Sequence, residues 1–367
     1  MLKRKQELLE IMHNLKLDII CLVPGANQCY LTGANFHLSE RPTIISLTSD
    51  GDVMGIIPFL EKDAFDSLKL NAQSFYWQDN DGFDNAFKKA FQGKKIQRVG
   101  VEGQRMRFFE SQAILRALPN VSSEILDINS EICSLRLQKK NEELVKIRKA
   151  LAISEKALSN ILPYIRIGMR ETDIQALLLN ALFTEGAEGL AFDPIIAAGE
   201  NSANPHAHAR SDYQIKHGDA LLLDFGAIYQ KYNADITRTF FVGNVSERDA
   251  ALYSTVLEAN QIGIQASKAR VSAHEVDDKV QCYLESTEFS QFILHKTGHG
   301  LGMEVHEKPQ IMRGNLDILH PGMTYTVEPG LYIKDDIGIR IEDVVLITED
   351  GYELLTTFNK EMTVLPR

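Results

Sequence analysis

The segment Leu221–Phe240, LLLDFGAIYQKYNADITRTF, constrains this chain more than any other. It sets two carboxylates, Asp224 and Asp235, eleven residues apart on what read as two adjacent strands. Leu221–Leu223 and Phe225 are apolar, so Asp224 enters a buried sheet. A lone carboxylate there must be protonated or paired, because burying an unpaired charge is costly. With an even-numbered turn centred on Gln230-Lys231, Asp224 lies opposite Thr237. Asp235 is then its diagonal neighbour on the same face, about 7–8 Å away or less. An odd turn would put the two carboxylates on opposite faces. The first register makes a proton-sharing dyad or a cation site. The second leaves Asp235 an ordinary solvent-facing strand residue.

A chain of 367 residues is longer than a typical single domain, so two domains are expected. The net charge of -11 argues against a nucleic acid or an anionic membrane as the main partner. Cys21, Cys29, Cys133 and Cys282 form no CxxC pair, which disfavours a structural zinc or thioredoxin-type site. They read as buried free thiols in a reducing compartment. The N-terminal stretch has a helical apolar stripe, Leu8, Leu9, Ile11, Met12 and Leu15, rather than a signal peptide, and no long apolar run follows. The cytoplasm is the expected location.

In chain order, a helix is expected over Leu2–Leu17 and a strand over Asp18–Val23, which ends at Pro24-Gly25. A hairpin is expected from Thr43–Thr48 and Val53–Ile57 around an Asp- and Gly-rich turn. Helices near Glu61–Leu70, Phe83–Phe91 and Arg107–Leu118, with a strand at Arg98–Glu102, complete an α/β layer. The polar run Gln138-Lys139-Lys140-Asn141-Glu142-Glu143 is the boundary candidate and reads as the solvated first turn of a helix over Lys139–Leu162. Further helices are expected at Glu171–Phe183, with Thr172 as a cap, at Leu252–Ala269 and at His274–Leu284. Phe192–Ala198 reads as a strand, and strands dominate from Phe292 onward.

The later half supplies partners for the two Asp. His295 and His299 are four apart in HKTGHGLGMEVHEK, Gly298 and Gly300 flank His299, and His306 follows. Glycine weakens a strand, so its presence here points to an exposed or irregular backbone. Glu328 follows an apolar approach in TVEP, and Glu342 lies in the alternating strand GIRIEDVV. In a hairpin turning at Lys334-Asp335-Asp336 the two Glu are directly opposite, while Asp343 faces the other way and reads as structural. In NPHAH, His206 and His208 share one side of an extended segment, although Pro205 favours a loop. Hard oxygen donors with one imidazole suit Mn²⁺, Co²⁺, Fe²⁺ or Zn²⁺. Two divalent cations would balance four carboxylates, and such a site polarises a carbonyl for hydrolysis.

In order, DFGAIYQKYNADITRTF, TGHGLGMEVHEKP, TVEPGLY and GIRIEDVV resemble the ligand motifs of the pita-bread metallopeptidases, over roughly residues 137–367. Tyr30-Leu31-Thr32-Gly33 and Glu40-Arg41-Pro42 are similar to the smaller domain of the prolidase and Xaa-Pro aminopeptidase branch, which methionine aminopeptidases lack. The resemblance implies an α+β chain, with a creatinase-like α/β N-terminal domain over residues 1–130 and a pita-bread catalytic domain over 137–367. It implies that Asp224, Asp235, His299, Glu328 and Glu342 hold two divalent metal ions, Mn²⁺ first and Co²⁺, Zn²⁺ or Fe²⁺ as alternatives. In that scheme Asp235 and Glu342 bridge, Asp224 completes one site, and His299 with Glu328 completes the other. Glu328 also takes a proton from the attacking water. His206 and His306 are implied to steady the substrate or the tetrahedral intermediate, and His295 and Arg340 to complete substrate binding. His208 matches no functional position. Thr237 is placed to orient a ligand carboxylate. The implied substrate is a small peptide with proline second, taken either as a dipeptide or from a longer chain, and the implied assembly is a homodimer. A creatinase-like enzyme and a non-catalytic peptide-binding module are the rivals, and the complete ligand set weighs against both.

Overall fold

The computed structural model describes residues 2–118 and 122–366. The chain divides into two compact units, Met1–Arg136 and Leu137–Arg367.

The first unit is built on a six-stranded sheet. Its order is Gln73–Trp77, Val53–Pro58, Ile44–Thr48, Ile19–Leu22, Arg98–Val101 and Glu124–Asp127. The sheet is mixed, with Ile19–Leu22 antiparallel to Ile44–Thr48 and parallel to Arg98–Val101. Successive residues of one strand feed different cores. Ile19 and Cys21 pack with Phe87, Phe91 and Ile114 on one face. Ile20 and Leu22 pack with Leu8, Met12 and Leu31 on the other. Burial on both faces explains why this strand reads as a continuous apolar run instead of alternating.

In the second unit two sheets carry the chemistry. One runs Val364–Leu365, Ile236–Val242, Ala220–Phe225, Ile195–Ala198, and the other Glu307–Ile311, Gly298–Gly300, Thr324–Val327, Asp343–Ile347, Tyr352–Leu354. Alternation assigns their faces. Leu221, Leu223 and Phe225 pack with Ile153, Leu158, Ile174 and Leu178 of the helices Asn141–Ile161 and Glu171–Thr184. Tyr325 and Val327 pack with Ile264 and Val276 of Glu247–Ala266 and Ala273–Glu285. The polar residues between them, Asp224 and Thr237 on one sheet and Thr326 on the other, are left on the opposite faces.

A buried arginine ties these strands together. Arg238 is 1% exposed. It donates to the carbonyls of Thr237, Glu342, Phe358 and Asn359 and pairs with Asp343 at 2.8 Å. Asp343 is thus structural, as its strand position indicated. Lys360 and Thr356 also reach it, and although burial pushes its pKa up, these partners hold it below the usual range.

Several expectations are corrected. Helix Glu171–Thr184 is not capped by Thr172. Arg170 precedes its first turn, and Asp173 accepts from the Arg170 backbone N–H at 2.9 Å. The run at 138–143 is not simply solvated. Lys139 forms a buried ion pair with Glu307, and buried Glu143 accepts from the Tyr232 hydroxyl at 2.8 Å. Cys21 is the buried thiol, whereas Cys29 and Cys133 are half-buried and Cys282 is exposed. Only Ile195–Ala198 of the expected 192–198 strand is paired, because Pro194 lacks a donor. Ala26–Thr32 is helical, which the sequence reading did not anticipate.

Replacing Arg238 by Met strands part of a buried ion network, and unfolding free energy is expected to fall by about 3–5 kcal/mol. Denaturant titration followed by circular dichroism reads this. The single Trp77 lies in the other unit, so tryptophan fluorescence would miss it.

Candidate metal centre

The register of the first hairpin puts the two aspartates together. Tyr229 pairs with Tyr232 across a two-residue turn, Gln230-Lys231, and Thr237 pairs with Asp224. Gln230 and Lys231 both have positive φ, 45° and 70°, as a type I′ turn requires. Gly226 lies across from Asp235, and a Cβ there would collide with the Ala234 carbonyl. The second hairpin behaves likewise. Val327 pairs with Asp343 and Gly330 with Arg340, which sets Glu328 opposite Glu342. His299 enters between Gly298 and Gly300, whose Cβ atoms would strike the carbonyls of Thr326 and Lys308. Glycine lets the strands close to that distance.

Asp224, Asp235, His299, Glu328, Glu342 and Arg340 all line one cavity of about 810 Å³. His206, His295 and His306 line it too, as do Phe192, Ile195, Leu294 and Val305. His208 does not. Ligand atoms of Asp235, His299 and Glu342 lie within 4.8 Å of one another. His299 Nε2 is 3.1 Å from Glu328 Oε1 and 3.7 Å from Asp235 Oδ2. Its Nδ1 faces the Gly300 carbonyl at 3.2 Å, which holds Nε2 toward the carboxylates. Thr237 Oγ1 donates to Glu342 at 2.7 Å, and Thr326 Oγ1 to Glu328 at 3.2 Å. Arg340 binds Asp224 Oδ2, while the buried Asp224 Oδ1 has no hydrogen-bond partner.

The electrostatics are those of a buried anionic nest. Burial first, and then Glu342, Asp224 and Glu328, push the Asp235 carboxyl well above its ordinary range. Burial, Glu328 and Asp224 do the same to Glu342. Asp224 is raised by burial, with Arg340 opposing. Burial also pushes Glu328 up, but the hydrogen bond and charge of His299 outweigh it and hold it at about 2. The orphaned Asp224 oxygen, the clustered Asp235, His299 and Glu342 atoms and this hard donor set fit divalent cations.

Tyr332 was missed by the sequence reading. Its hydroxyl accepts from Arg340 at 2.6 Å and meets His295 Nε2 at 2.8 Å, while His295 Nδ1 faces the Lys296 carbonyl at 2.8 Å. The result is a chain from His295 through Tyr332 and Arg340 to Asp224. The two-residue period from Glu328 through Gly330 to Tyr332 was the available signal. Gly330 leaves room for the hydroxyl. Burial lowers the pKa of His295. His306 is lowered by partial burial and by His299, against whose ring it stands edge-on at 4.2 Å.

Carboxylates and one imidazole at the floor of a peptide-sized cavity define a metal-dependent hydrolase. Residues 145–349 match Metallopeptidase family M24, and residues 4–138 match the Creatinase/Prolidase N-terminal domain. The chain belongs to metallopeptidase family M24, with the N-terminal domain ahead of the pita-bread domain. It is 34% identical to a Xaa-Pro dipeptidase from Pyrococcus furiosus over 364 residues, 99% of this chain and 100% of the relative. Among solved structures it is similar to a dipeptidase from Pyrococcus horikoshii, with TM-score 0.91 and 31% identity over 99% of this chain and 100% of that one. It is also similar to an X-Pro aminopeptidase from Thermotoga maritima, with TM-score 0.85 and 31% identity over 98% and 99%.

The raised carboxyls set the sign of a pH effect. A carboxyl whose pKa is raised by folding stabilises the fold below its ordinary value, and that contribution is lost as pH climbs through the raised one. Metal-free protein should therefore lose stability through Asp235 and Glu342 as pH rises above the ordinary carboxylate range, and Mn²⁺ should raise Tm more at the upper end of that rise. Asp235→Asn should match or exceed the wild-type Tm without metal and lose the Mn²⁺ gain. Thermal melts with Mn²⁺ or EDTA measure both.

Proposed function

We propose that this chain is a Xaa-Pro dipeptidase that hydrolyses the bond between an N-terminal residue and proline. The observation that carries this reading is the convergence of four carboxylates and one imidazole on a cavity that also holds three histidines and an apolar wall. The dipeptidases among its relatives and structural neighbours support it. Asp224, Asp235, His299, Glu328 and Glu342 would hold two divalent cations, Mn²⁺ first. When bound, such cations polarise a carbonyl and lower the pKa of water.

The chain's own groups do the rest. Glu328 is the most open of the carboxylates, with 18% of its side chain exposed. In this reading it takes the proton of the attacking water. The imidazole N–H groups of His206 and His306 serve as donors to charge developing on the carbonyl oxygen. His306, with its lowered pKa, can pass a proton to the departing imino nitrogen. Thr237 fixes Glu342, and Tyr332 with Arg340 fixes Asp224, so neither carboxylate need reorganise during turnover. Phe192, Ile195, Leu294 and Val305 offer an apolar surface for the proline ring.

Cleavage of longer peptides is the second reading, favoured by the likeness to the Thermotoga maritima aminopeptidase. Assay of a Xaa-Pro dipeptide beside a Xaa-Pro-Yaa tripeptide, with Mn²⁺ or Co²⁺, separates the two. Turnover of the dipeptide is expected. Turnover of the tripeptide alone selects the aminopeptidase, and no turnover of either with any divalent metal rejects both. His206→Ala should lower kcat by roughly 10²–10³-fold, the scale of a lost oxyanion donor, with Mn²⁺ content unchanged. The cytoplasm and a homodimer are the proposed setting, and sedimentation reads the latter.

A further inference from the structure

The cavity wall carries two fixed cations, Arg340 and Lys296. Arg340 is already ion-paired to Asp224. Lys296 pairs with no carboxylate among the described residues, and its partly buried ammonium instead meets Gln310 Oε1. That amide is held in place. Its Nε2 donates to the Glu307 carbonyl at 3.0 Å, which leaves Oε1 facing the lysine. Gln310 is the cross-strand partner of His299, and Lys296 acts electrostatically on His306, whose ring stands against His299. The ammonium is therefore held on the imidazole side of the centre, beside the groups that face the substrate.

Fixing a lysine side chain costs rotamer entropy. A neutral amide partner leaves its charge without a counter-ion, so the spot is complementary to an anion. In a dipeptide the C-terminal carboxylate follows the scissile bond by one residue, about 3.8 Å of chain. In a longer peptide the same position is a neutral amide. We propose that Lys296, seated on Gln310, binds the C-terminal carboxylate of the dipeptide and sets the preference of this site for dipeptides over longer peptides. This rests on the peptidase reading above.

The test is steady-state kinetics of the full chain with Mn²⁺ on Ala-Pro and on its C-terminal amide. Wild type should prefer the free acid. Lys296→Met should raise KM for the acid roughly 10–100-fold more than for the amide, the scale of a lost charge-assisted hydrogen bond. Lys296→Arg should keep the preference. Inhibition by free proline should weaken in Lys296→Met, while inhibition by prolinamide should not. A Lys296→Met enzyme with the wild-type acid-to-amide ratio overturns the proposal. So does one in which both substrates suffer alike. Failure of the peptidase reading looks different, because wild type would then cleave neither substrate before any variant is made.

Discussion

Mutual repulsion among four carboxylates is the constraint on which the rest of this structure depends. Asp224, Asp235 and Glu342 are 8%, 4% and 2% exposed, and Glu328 stands beside them. In direct contact with them are the guanidinium of Arg340 and the imidazole of His299. Low dielectric strengthens each repulsion, so such a cluster forms only where the surrounding fold holds it. Arg238 does much of this by joining the Thr237 and Glu342 backbones from behind. The backbone N–H of Glu342 also donates to the Thr237 carbonyl at 3.1 Å. His299 Nε2 and Glu328 Oε1, 3.1 Å apart, converge where a divalent cation would serve both groups at once. Folding thus stores the repulsion that makes cation binding favourable.

Register is what turns the sequence into this arrangement. A slip of one residue in either hairpin would send a carboxylate to the helix-packed face. Gln230-Lys231 is a poor type I′ sequence, because both residues take positive φ without glycine or asparagine. The turn therefore does not choose the register. The ladder from Ala220–Phe225 to Ile236–Val242 does, since its alternate residues, Leu221, Leu223 and Phe225, must face the helices. The same logic places Tyr325 and Val327 in the core and leaves Thr326 and Glu328 toward the cavity.

This explains which features were legible in the chain. Asp224 opposite Thr237 and Glu328 opposite Glu342 were legible as registers that period-two alternation allows, a local property, but loop parity left the first of them open and the ladder decides it. In the first unit the strands Ile19–Leu22, Ile44–Thr48, Val53–Pro58 and Arg98–Val101 and most helices were legible from such local patterns, whereas the strands Gln73–Trp77 and Glu124–Asp127 were not. Tyr332 was hidden because its role depends on Arg340 and His295, which come from a different strand and a loop. The pairing of Lys139 with Glu307 spans 168 residues, and no pattern within a polar run distinguishes a buried lysine from a solvated one. Ala26–Thr32 was overlooked because its helix is set by tertiary polar contacts rather than an apolar stripe. Asn27 donates to Glu102 at 2.6 Å and accepts from Arg136 at 2.6 Å, and Gln28 donates to the Leu22 carbonyl at 3.0 Å.

The two groups of cavity residues differ in what they rest on. Asp224 and His299 lie within strands, while Asp235, Glu328 and Glu342 lie at strand ends fixed by ladders on either side. Their positions are fixed by backbone pairing and by glycines that admit no side chain. Phe192, Leu294, Lys296, Val305 and His206 lie outside the strands, on connecting segments. Cation chemistry tolerates little displacement, and ladders supply that rigidity. Substrate choice needs only shape and charge at the rim, which connections can vary without disturbing a ladder. The division predicts that changes at Phe192 or Lys296 alter which peptide is accepted, whereas changes at Gly298 or Gly330 disturb the cluster of carboxylates itself.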